Sequence, residues 1–313
     1  MAESNKDTDV RDAFFDEVYE AACKNRRIMV LTNDQGAFSL EKLKRDCPDQ
    51  YINIGVAEQN LVNVAAGLAL GGMRPMVYGI TNFMSLRCCE QIAVSLCFPN
   101  LPVAIVASGG GLTYASDGPT HHAVQDIGVL RTMPNLAIYN PSDAALTRAC
   151  ARACLAASGP SYVRIEKGIL PVLHAVGVDA SSGFSVLKAE GAVLIVSTGF
   201  AMYEAAKTVD LLRTHRIEAG LLDLFRLKPV DQAALSSVLK RYRWVVVLEE
   251  QTPVGGAADL VARVVAEEGL AVRVHGVSLS DSPCYRYGSR GWLHGLVGLD
   301  AEAICGWIKE WAF

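Results

Sequence analysis

The chain has 313 residues, which at roughly 150 residues per domain predicts two domains. Of these residues 51% are hydrophobic and 20% are charged, a balance that predicts large buried cores and excludes a mostly disordered chain. The formal net charge is −4, and no run of basic residues indicates a nucleic-acid partner.

The N-terminal segment, residues 1–25, has charges throughout and lacks the apolar core of a signal peptide. No segment approaches the ~18 consecutive apolar residues of a membrane span. We therefore expect a cytoplasmic protein that does not bind membranes. The nine cysteines, an odd number with no Cys-x-x-Cys pair, are expected to be small buried hydrophobes in a reducing compartment.

Short apolar runs alternate with helical patterns over the first part of the chain, which is typical of a parallel sheet covered by helices on both faces. The predicted strands are 28–32, 75–78, 103–108, 136–139 and 161–165. The predicted helices are 58–70, 82–97, 123–131 and 142–157, with Asn82 and Ser142 as N-caps. Residues 166–191 mix Gly, Pro and Ser without a sustained period and are expected to cross between domains.

A second α/β unit is predicted after this crossover. Its strands are 192–197, 218–222, 244–248 and 271–276, and its helices are 201–215, 232–239, 255–268 and a last one capped by Asp300. The predicted fold class is α/β, with two domains that each contain a mainly parallel sheet flanked by helices. We place the first domain at 1–170, a linker at 171–190 and the second domain at 191–313.

Two segments contain the chemically notable residues. Residues 53–60 (NIGVAEQN) put Glu58 at the start of an otherwise apolar helix, where the helix dipole alone would also favour an acid. Residues 116–122 (SDGPTHH) follow a glycine turn at 109–111 and the predicted strand 103–108. Open α/β sheets bind ligands at the carboxyl ends of their strands, so the acid and the two histidines of this loop are functional candidates.

Together and in this order, the motifs resemble the C-terminal half of transketolase, which consists of a pyrimidine-binding domain and a C-terminal domain. The resemblance covers residues 31–167 and, more loosely, the rest of the chain. It depends on NIGVAEQN (53–60), AAGLAL (65–70), NFMSLRCCEQI (82–92), DGPTHH (117–122), residues 126–131 and 133–135, and NPSD (140–143). The chain is most similar in type to split transketolase-like proteins, in which two chains share the work.

The resemblance implies thiamine diphosphate as the cofactor, with Glu58 as the glutamate that donates a hydrogen bond to the pyrimidine ring. In that role Glu58 must be protonated at neutral pH, so we expect a dry site and a raised pKa. Phe83 matches the aromatic residue that packs on the pyrimidine. Ile80 and Leu86 stand where other transketolases have further aromatic residues, and they are expected to keep the cofactor pocket apolar with less ring stacking. The helical spacing of these three residues is also that of a core stripe.

The resemblance also implies substrate contacts. His121 matches the histidine that bonds donor oxygens and assists proton transfer, and Asp117 matches the residue that binds a donor hydroxyl. His122 is a further candidate for substrate binding. Arg164 matches the arginine that grips the sugar phosphate, although a surface arginine would fit as well. Gly109 stands where many transketolases have a second phosphate-binding histidine, so either backbone amides replace that side chain or the substrate is not an ordinary sugar phosphate.

Transketolases hold the diphosphate through Mg²⁺ on a separate N-terminal domain, with a Gly-Asp-Gly motif and a later Asn. This sequence contains neither, so we expect no metal site here and a partner subunit that holds the diphosphate and the Mg²⁺. Assembled as an α2β2 heterotetramer, the two chains would form a transferase of carbohydrate metabolism. It would move a two-carbon ketol unit from a ketose, or ketose phosphate, to an aldose.

Two alternatives remain. The chain could be half of a 1-deoxyxylulose-5-phosphate synthase-like enzyme or of another thiamine-diphosphate carboligase, although the loops characteristic of the β subunits of 2-oxo acid dehydrogenases do not match. It could also be a non-catalytic regulatory subunit. Such a subunit has no need of the set Glu58, Asp117 and His121.

Overall fold

Seven strands form the first sheet, in the order β10-β5-β6-β4-β3-β1-β2, in the computed structural model, which describes residues 8–312. The six strands from the first part of the chain pair in parallel, and β10, contributed by the second part, is antiparallel to β5. Their bounds are β1 (Ile28–Thr32), β2 (Tyr51–Asn53), β3 (Arg74–Ile80), β4 (Ala104–Ser108), β5 (Ala137–Tyr139), β6 (Ser161–Ile165) and β10 (Arg226–Lys228).

Helices cover both faces of this sheet. They are α1 (Val10–Ala22), α2 (Phe38–Asp46), α3 (Glu58–Leu70), α4 (Thr81–Ser85), α5 (Cys89–Gln91), α6 (Asp126–Leu130) and α7 (Ala144–Ala156), with a short 3₁₀ helix at Pro48–Gln50 and a π-helix at Ile92–Cys97. One face packs on α1, α2 and α7, which bury apolar side chains such as Phe14, Leu40 and Cys150. The other face packs on α3 and on the helical segments after β3.

The second unit has a five-stranded sheet in the order β12-β11-β8-β9-β7, parallel except for β7, which is antiparallel to β9. Its strands are β7 (Ser185–Lys188), β8 (Val193–Ser197), β9 (Ala219–Asp223), β11 (Trp244–Leu248) and β12 (Arg273–Val277). Its helices are α8 (Ala201–Thr214), α9 (Gln232–Leu239), α10 (Ala257–Glu267), α11 (Arg290–Val297) and α12 (Ala301–Ala312). The predicted fold class, two mainly parallel sheets flanked by helices, is therefore confirmed.

The prediction of one continuous helix over residues 82–97 is wrong. The chain instead forms α4, α5 and the π-helix in succession. At the first break Ser85 Oγ donates to the Thr81 carbonyl (2.6 Å), a side-chain bond to the preceding turn that commonly bends a helix.

Three further strands were absent from the prediction. β2 lies shortly before α3, β7 lies within the segment predicted as a linker, 171–190, and β10 follows β9 directly. All three are short and sit at sheet edges, where pairing with a neighbouring strand rather than apolar content determines that they form.

The two units share buried contacts. One apolar cluster runs from Leu61 and Ile105 of the first unit to Val196 and Leu260 of the second. A buried arginine, Arg290 at the start of α11, strengthens this junction by pairing with Glu166 (2.8 Å) and Glu250 (2.8 Å). Among residues 8–312 no helix is long and apolar enough to cross a membrane.

Candidate functional site

The candidate site lies at the carboxyl edge of the first sheet. Strands β1, β3 and β4 are neighbours there, and each is followed by a segment with polar or aromatic residues. Asn33 follows β1, Phe83 lies on α4 directly after β3, and a loop with His121 follows β4. Because parallel strands end at the same edge, residues far apart in the sequence meet.

Glu58 is the first residue of α3 and is only 2% exposed. Its Oε1 accepts a hydrogen bond from Asn33 Nδ2 (2.8 Å), and its Oε2 accepts one from Arg87 Nη1 (2.7 Å). Burial raises the pKa of Glu58, but hydrogen bonds from its own backbone N–H, from Arg87 and from Asn33, with the charge of Arg87, outweigh burial and lower it. The expectation of a raised pKa is therefore wrong for this chain by itself, because hydrogen bonds to the carboxylate, first that from its own backbone N–H and then that from Arg87, favour the charged form.

Arg87 connects Glu58 to the aromatic side chain of Phe83. The centre of its guanidinium group lies 4.3 Å from the centroid of the Phe83 ring, so one cation contacts both groups. Sequence reasoning missed Arg87, although it lies inside the matched segment 82–92. The available signal was its spacing of four residues from Phe83, which puts two side chains on the same side of a helical turn.

His121 also packs against Phe83. The two rings are 5.1 Å apart and meet edge to face. Asn82 Nδ2 donates to the Thr120 carbonyl (2.6 Å), which ties the loop of residues 116–122 to α4. Asp117 is exposed on the same loop. Phe83 thus contacts His121 directly and Glu58 through Arg87. Glu58, Phe83 and His121 are called the row from here on.

Leu86 and His122 lie away from this row. Both line a cavity of about 420 Å³ between the 116–122 loop and residues 279–285 of the second unit. His122 is buried there, and burial lowers its pKa, which favours a neutral imidazole. Ile80, the last residue of β3, is half-buried.

Arg164 is not brought to the row either. It is 2% exposed, pairs with the buried Asp126 (3.1 Å) and donates through Nε to Asn140 Oδ1 (3.0 Å). Its guanidinium group is bound by these protein partners, so it is not a surface arginine. Lys167, which sequence reasoning missed, is exposed in the same segment, and its Nζ lies 5.6 Å from the Tyr114 ring.

The glycine turn after β4 uses its amides internally. Gly109 N donates to the Ile165 carbonyl (2.8 Å) and Gly111 N to the Ala123 carbonyl (2.9 Å). These two amides are therefore not free to replace a phosphate-binding side chain. In residues 8–312 no three His, Cys, Asp or Glu side chains are grouped so as to hold a metal ion.

Comparison with known proteins agrees with this architecture. Residues 6–172 match the family model "Transketolase, pyrimidine binding domain", and residues 184–304 match "Transketolase, C-terminal domain". The chain is 31% identical, over 94% of its length and 95% of the relative's, to a subunit of the apulose-4-phosphate transketolase of Phocaeicola vulgatus. It is also 31% identical to a 6-deoxy-6-sulfo-D-fructose transketolase subunit of a Clostridium species, over 94% and 92% of the two chains.

A solved structure described as "Split gene transketolase, inactive beta4 tetramer" superposes with a TM-score of 0.85 at 30% identity, covering 97% of this chain and 98% of that one. The similarity therefore extends over both units and over whole subunits of split enzymes. The chain belongs to the transketolase family.

Proposed function

We propose that the chain is the pyrimidine-binding subunit of a two-chain, thiamine-diphosphate-dependent transketolase. With its partner it transfers a two-carbon ketol unit from a ketose to an aldose. The observation that supports this most directly is the row Glu58, Phe83, His121 at the carboxyl edge of the first sheet. Such an edge is where α/β folds bind their ligands.

The donor set of this row fits an aminopyrimidine. Such a ring is flat and has both hydrogen-bond donors and acceptors, and Phe83 offers an aromatic face for it. Glu58 offers a buried carboxyl group, and Asn33 Oδ1 is buried without a hydrogen-bond partner among the described residues, which leaves an acceptor for an amino group. When bound, thiamine diphosphate supplies the carbon nucleophile that accepts the two-carbon unit.

The residues of this chain would bind and orient the cofactor ring and the substrate, and they would move protons. Glu58 would hold a proton on its carboxyl group and donate it in a hydrogen bond to a pyrimidine nitrogen. His121 would exchange a proton with the donor oxygens, since the two ring nitrogens of an imidazole can donate or accept a hydrogen bond. Asp117 would accept a hydrogen bond from a donor hydroxyl. We assign Ile80 to the apolar surroundings of the ring, and Leu86 and His122 to the cavity beside the loop.

We propose that Lys167, rather than Arg164, meets the anionic end of the substrate. Lys167 is exposed near Tyr114, whose ring lies 6.1 Å from His121, whereas Arg164 is already paired with Asp126. Phosphate and sulfonate groups both offer oxygens to an ammonium group, so Lys167 fits either kind of sugar.

The partner in this proposal is an N-terminal, diphosphate-binding subunit that holds Mg²⁺ and the diphosphate, in an α2β2 assembly. The naming of similar proteins as transketolase subunits supports a second chain of this kind. We also propose a cytoplasmic location, which the nine free thiols support.

Glu58→Gln, mixed with the partner chain, tests the assignment. We expect kcat for ketol transfer to fall by at least about 100-fold, because Gln cannot exchange the acidic proton. Glu20→Gln, at an exposed position of α1, is the control and should keep wild-type turnover. Near-normal activity of Glu58→Gln would refute the proposed role, and wild-type chain without partner should show no turnover.

The same assay separates the alternatives. Formation of a 1-deoxy sugar from pyruvate and an aldose phosphate would indicate a 1-deoxyxylulose-5-phosphate synthase-like enzyme. If the assembled pair had activity that did not change on Glu58→Gln, the chain would be a regulatory subunit.

A further inference from the structure

Arg87 contacts both of the groups that would bind the pyrimidine ring. Its guanidinium group donates to Glu58 Oε2 (2.7 Å) and covers the Phe83 ring (4.3 Å to the centroid). These are the two groups that an aminopyrimidine would need, one for its edge and one for its face. In the free chain Arg87 therefore occupies the place of the ligand.

We propose, on the basis of the function proposed above, that Arg87 is a positioning residue that closes the pyrimidine site of the free chain and leaves it when the ring binds. While in place it keeps Glu58 as a carboxylate. When it leaves, Glu58 becomes the neutral acid that the bound ring requires.

The two partners differ in exposure, which indicates the one that moves. The Arg87 side chain is 44% exposed, whereas that of Glu58 is 3% exposed. The exposed arginine can turn into solvent by giving up its contacts with Glu58 and Phe83, because its long stem reaches water directly. The glutamate is the first residue of α3 and has no such route.

The remaining surroundings of Glu58 determine what happens next. Asn33 is neutral, and the nearby Cys88 thiol is neutral as well, since burial raises its pKa to about 12. His121 lies beyond the Phe83 ring. With the Arg87 cation removed, the carboxylate keeps the hydrogen bonds from its own backbone N–H and from Asn33, while burial, the largest single effect on its pKa, favours uptake of a proton.

The proton balance is simple. Glu58 gains one proton from the buffer as Arg87 moves out, so its charge changes from −1 to 0 while Arg87 stays +1. Ring binding to the assembled enzyme should therefore be accompanied by uptake of up to one proton per site. A ligand that must first displace a closed state also binds with reduced apparent affinity.

Calorimetric titration of the reconstituted pair with thiamine diphosphate and Mg²⁺ tests this, at pH 7 in two buffers of different ionisation enthalpy. We expect wild type to take up close to one proton per site. Arg87→Ala should take up almost none and bind about tenfold more tightly, because no closed state has to be opened. Arg87→Lys should restore most of the wild-type proton uptake.

Arg152→Ala is the matched control. Arg152 is similarly exposed (48%) and pairs with Glu17 at 2.8 Å, and its substitution should change neither quantity. Weaker binding by Arg87→Ala would overturn the proposal, since it would make Arg87 a direct contact of the cofactor. Unchanged proton uptake would overturn it too.

A measurement on the full chain alone separates this inference from the proposed function. Carbon-13 NMR of labelled glutamate carboxyl groups, with Glu58→Gln to assign the signal, should show Glu58 titrating at higher pH in Arg87→Ala than in wild type. If no variant of the pair binds thiamine diphosphate, the proposed function fails, yet this upward shift would still support Arg87 as the group that keeps Glu58 ionised. An identical titration in both proteins would overturn the inference.

Discussion

At the scale of single residues, the neighbours of a side chain determine its protonation and its availability to a ligand, which the residue type alone does not. Sequence matching selects Glu58 and Arg164 as candidate site residues but does not predict their surroundings. The pKa of Glu58 is lowered by hydrogen bonds from its own backbone N–H and from Arg87, and Arg164 is buried and bound by Asp126 and Asn140. Neither partner can be predicted from the sequence, since both pairings join segments that meet only at the edge of the sheet.

Arg164 and Lys167 can be distinguished by mutation. Arg164→Ala removes the cation paired with the buried Asp126, which keeps hydrogen bonds from Tyr162 and Gln251, and we expect the free energy of unfolding to fall by about 3–5 kcal/mol, measured by denaturant titration. Lys167→Ala should leave stability unchanged and raise KM for a phosphorylated ketose about tenfold, because a charged hydrogen bond is lost. The opposite pattern, with stable Arg164→Ala losing affinity for the phosphate, would return the phosphate contact to Arg164.

At the scale of elements, the central strands and the helices between them follow from the apolar pattern. β1 and β4 are fully buried and mostly apolar, which explains why their predicted bounds are nearly those observed. The conformation of the glycine turn after β4 depends instead on packing against the loop that follows it. Gly109 has φ +86°, and a Cβ at this residue would lie 2.2 Å from the Tyr114 ring, so the turn packs directly against the loop that leads to His121.

Gly109→Ala should therefore lower the free energy of unfolding by more than backbone strain alone would. We expect thermal unfolding, followed by circular dichroism, to show a loss of more than about 1 kcal/mol together with reduced turnover, because Tyr114 must move. Gly177→Ala is the control, since Gly177 has φ +85° but no atom within 4 Å of its Cβ position. Equal losses in both variants would show that strain alone, and not packing on the loop, limits position 109.

At the scale of the whole molecule, buried polar groups connect the two units. His174, from the crossover, lies between Asp143 at the start of α7 (3.3 Å) and Asp223 at the end of β9 (3.6 Å). Burial lowers the pKa of His174, but its hydrogen bond to Asp143 and the charges of Asp223 and Asp143 raise it overall. Burial raises the pKa of Asp223 to about 7.

Both shifts make the fold less stable as pH rises. The folded chain keeps a proton on His174 above the pKa that this group has when unfolded, so that contribution is present below about pH 6.5 and lost above it. Asp223 holds a proton from about pH 4 to about 7 that the unfolded chain would release, so stability falls over this range as well.

Asp223→Asn removes the contribution of Asp223 to the pH dependence of stability. We expect the midpoint of thermal unfolding of this variant, relative to wild type, to increase by at least about 2 °C between pH 5 and 8, measured by scanning calorimetry. A difference between the two proteins that does not change with pH would contradict the shifted pKa of Asp223.

The sequence by itself determined the α/β class, two parallel sheets, the main strands and helices and the family motifs around Glu58, Phe83 and His121. These follow from local apolar periodicity and from short contiguous motifs, which need no knowledge of distant residues. Only the tertiary structure decided that Arg87 bonds Glu58, that Arg164 is buried, that Asn33 bonds Glu58 and that β2, β7 and β10 complete the sheets. Each of these depends on segments brought together by parallel pairing, so no local pattern could specify them.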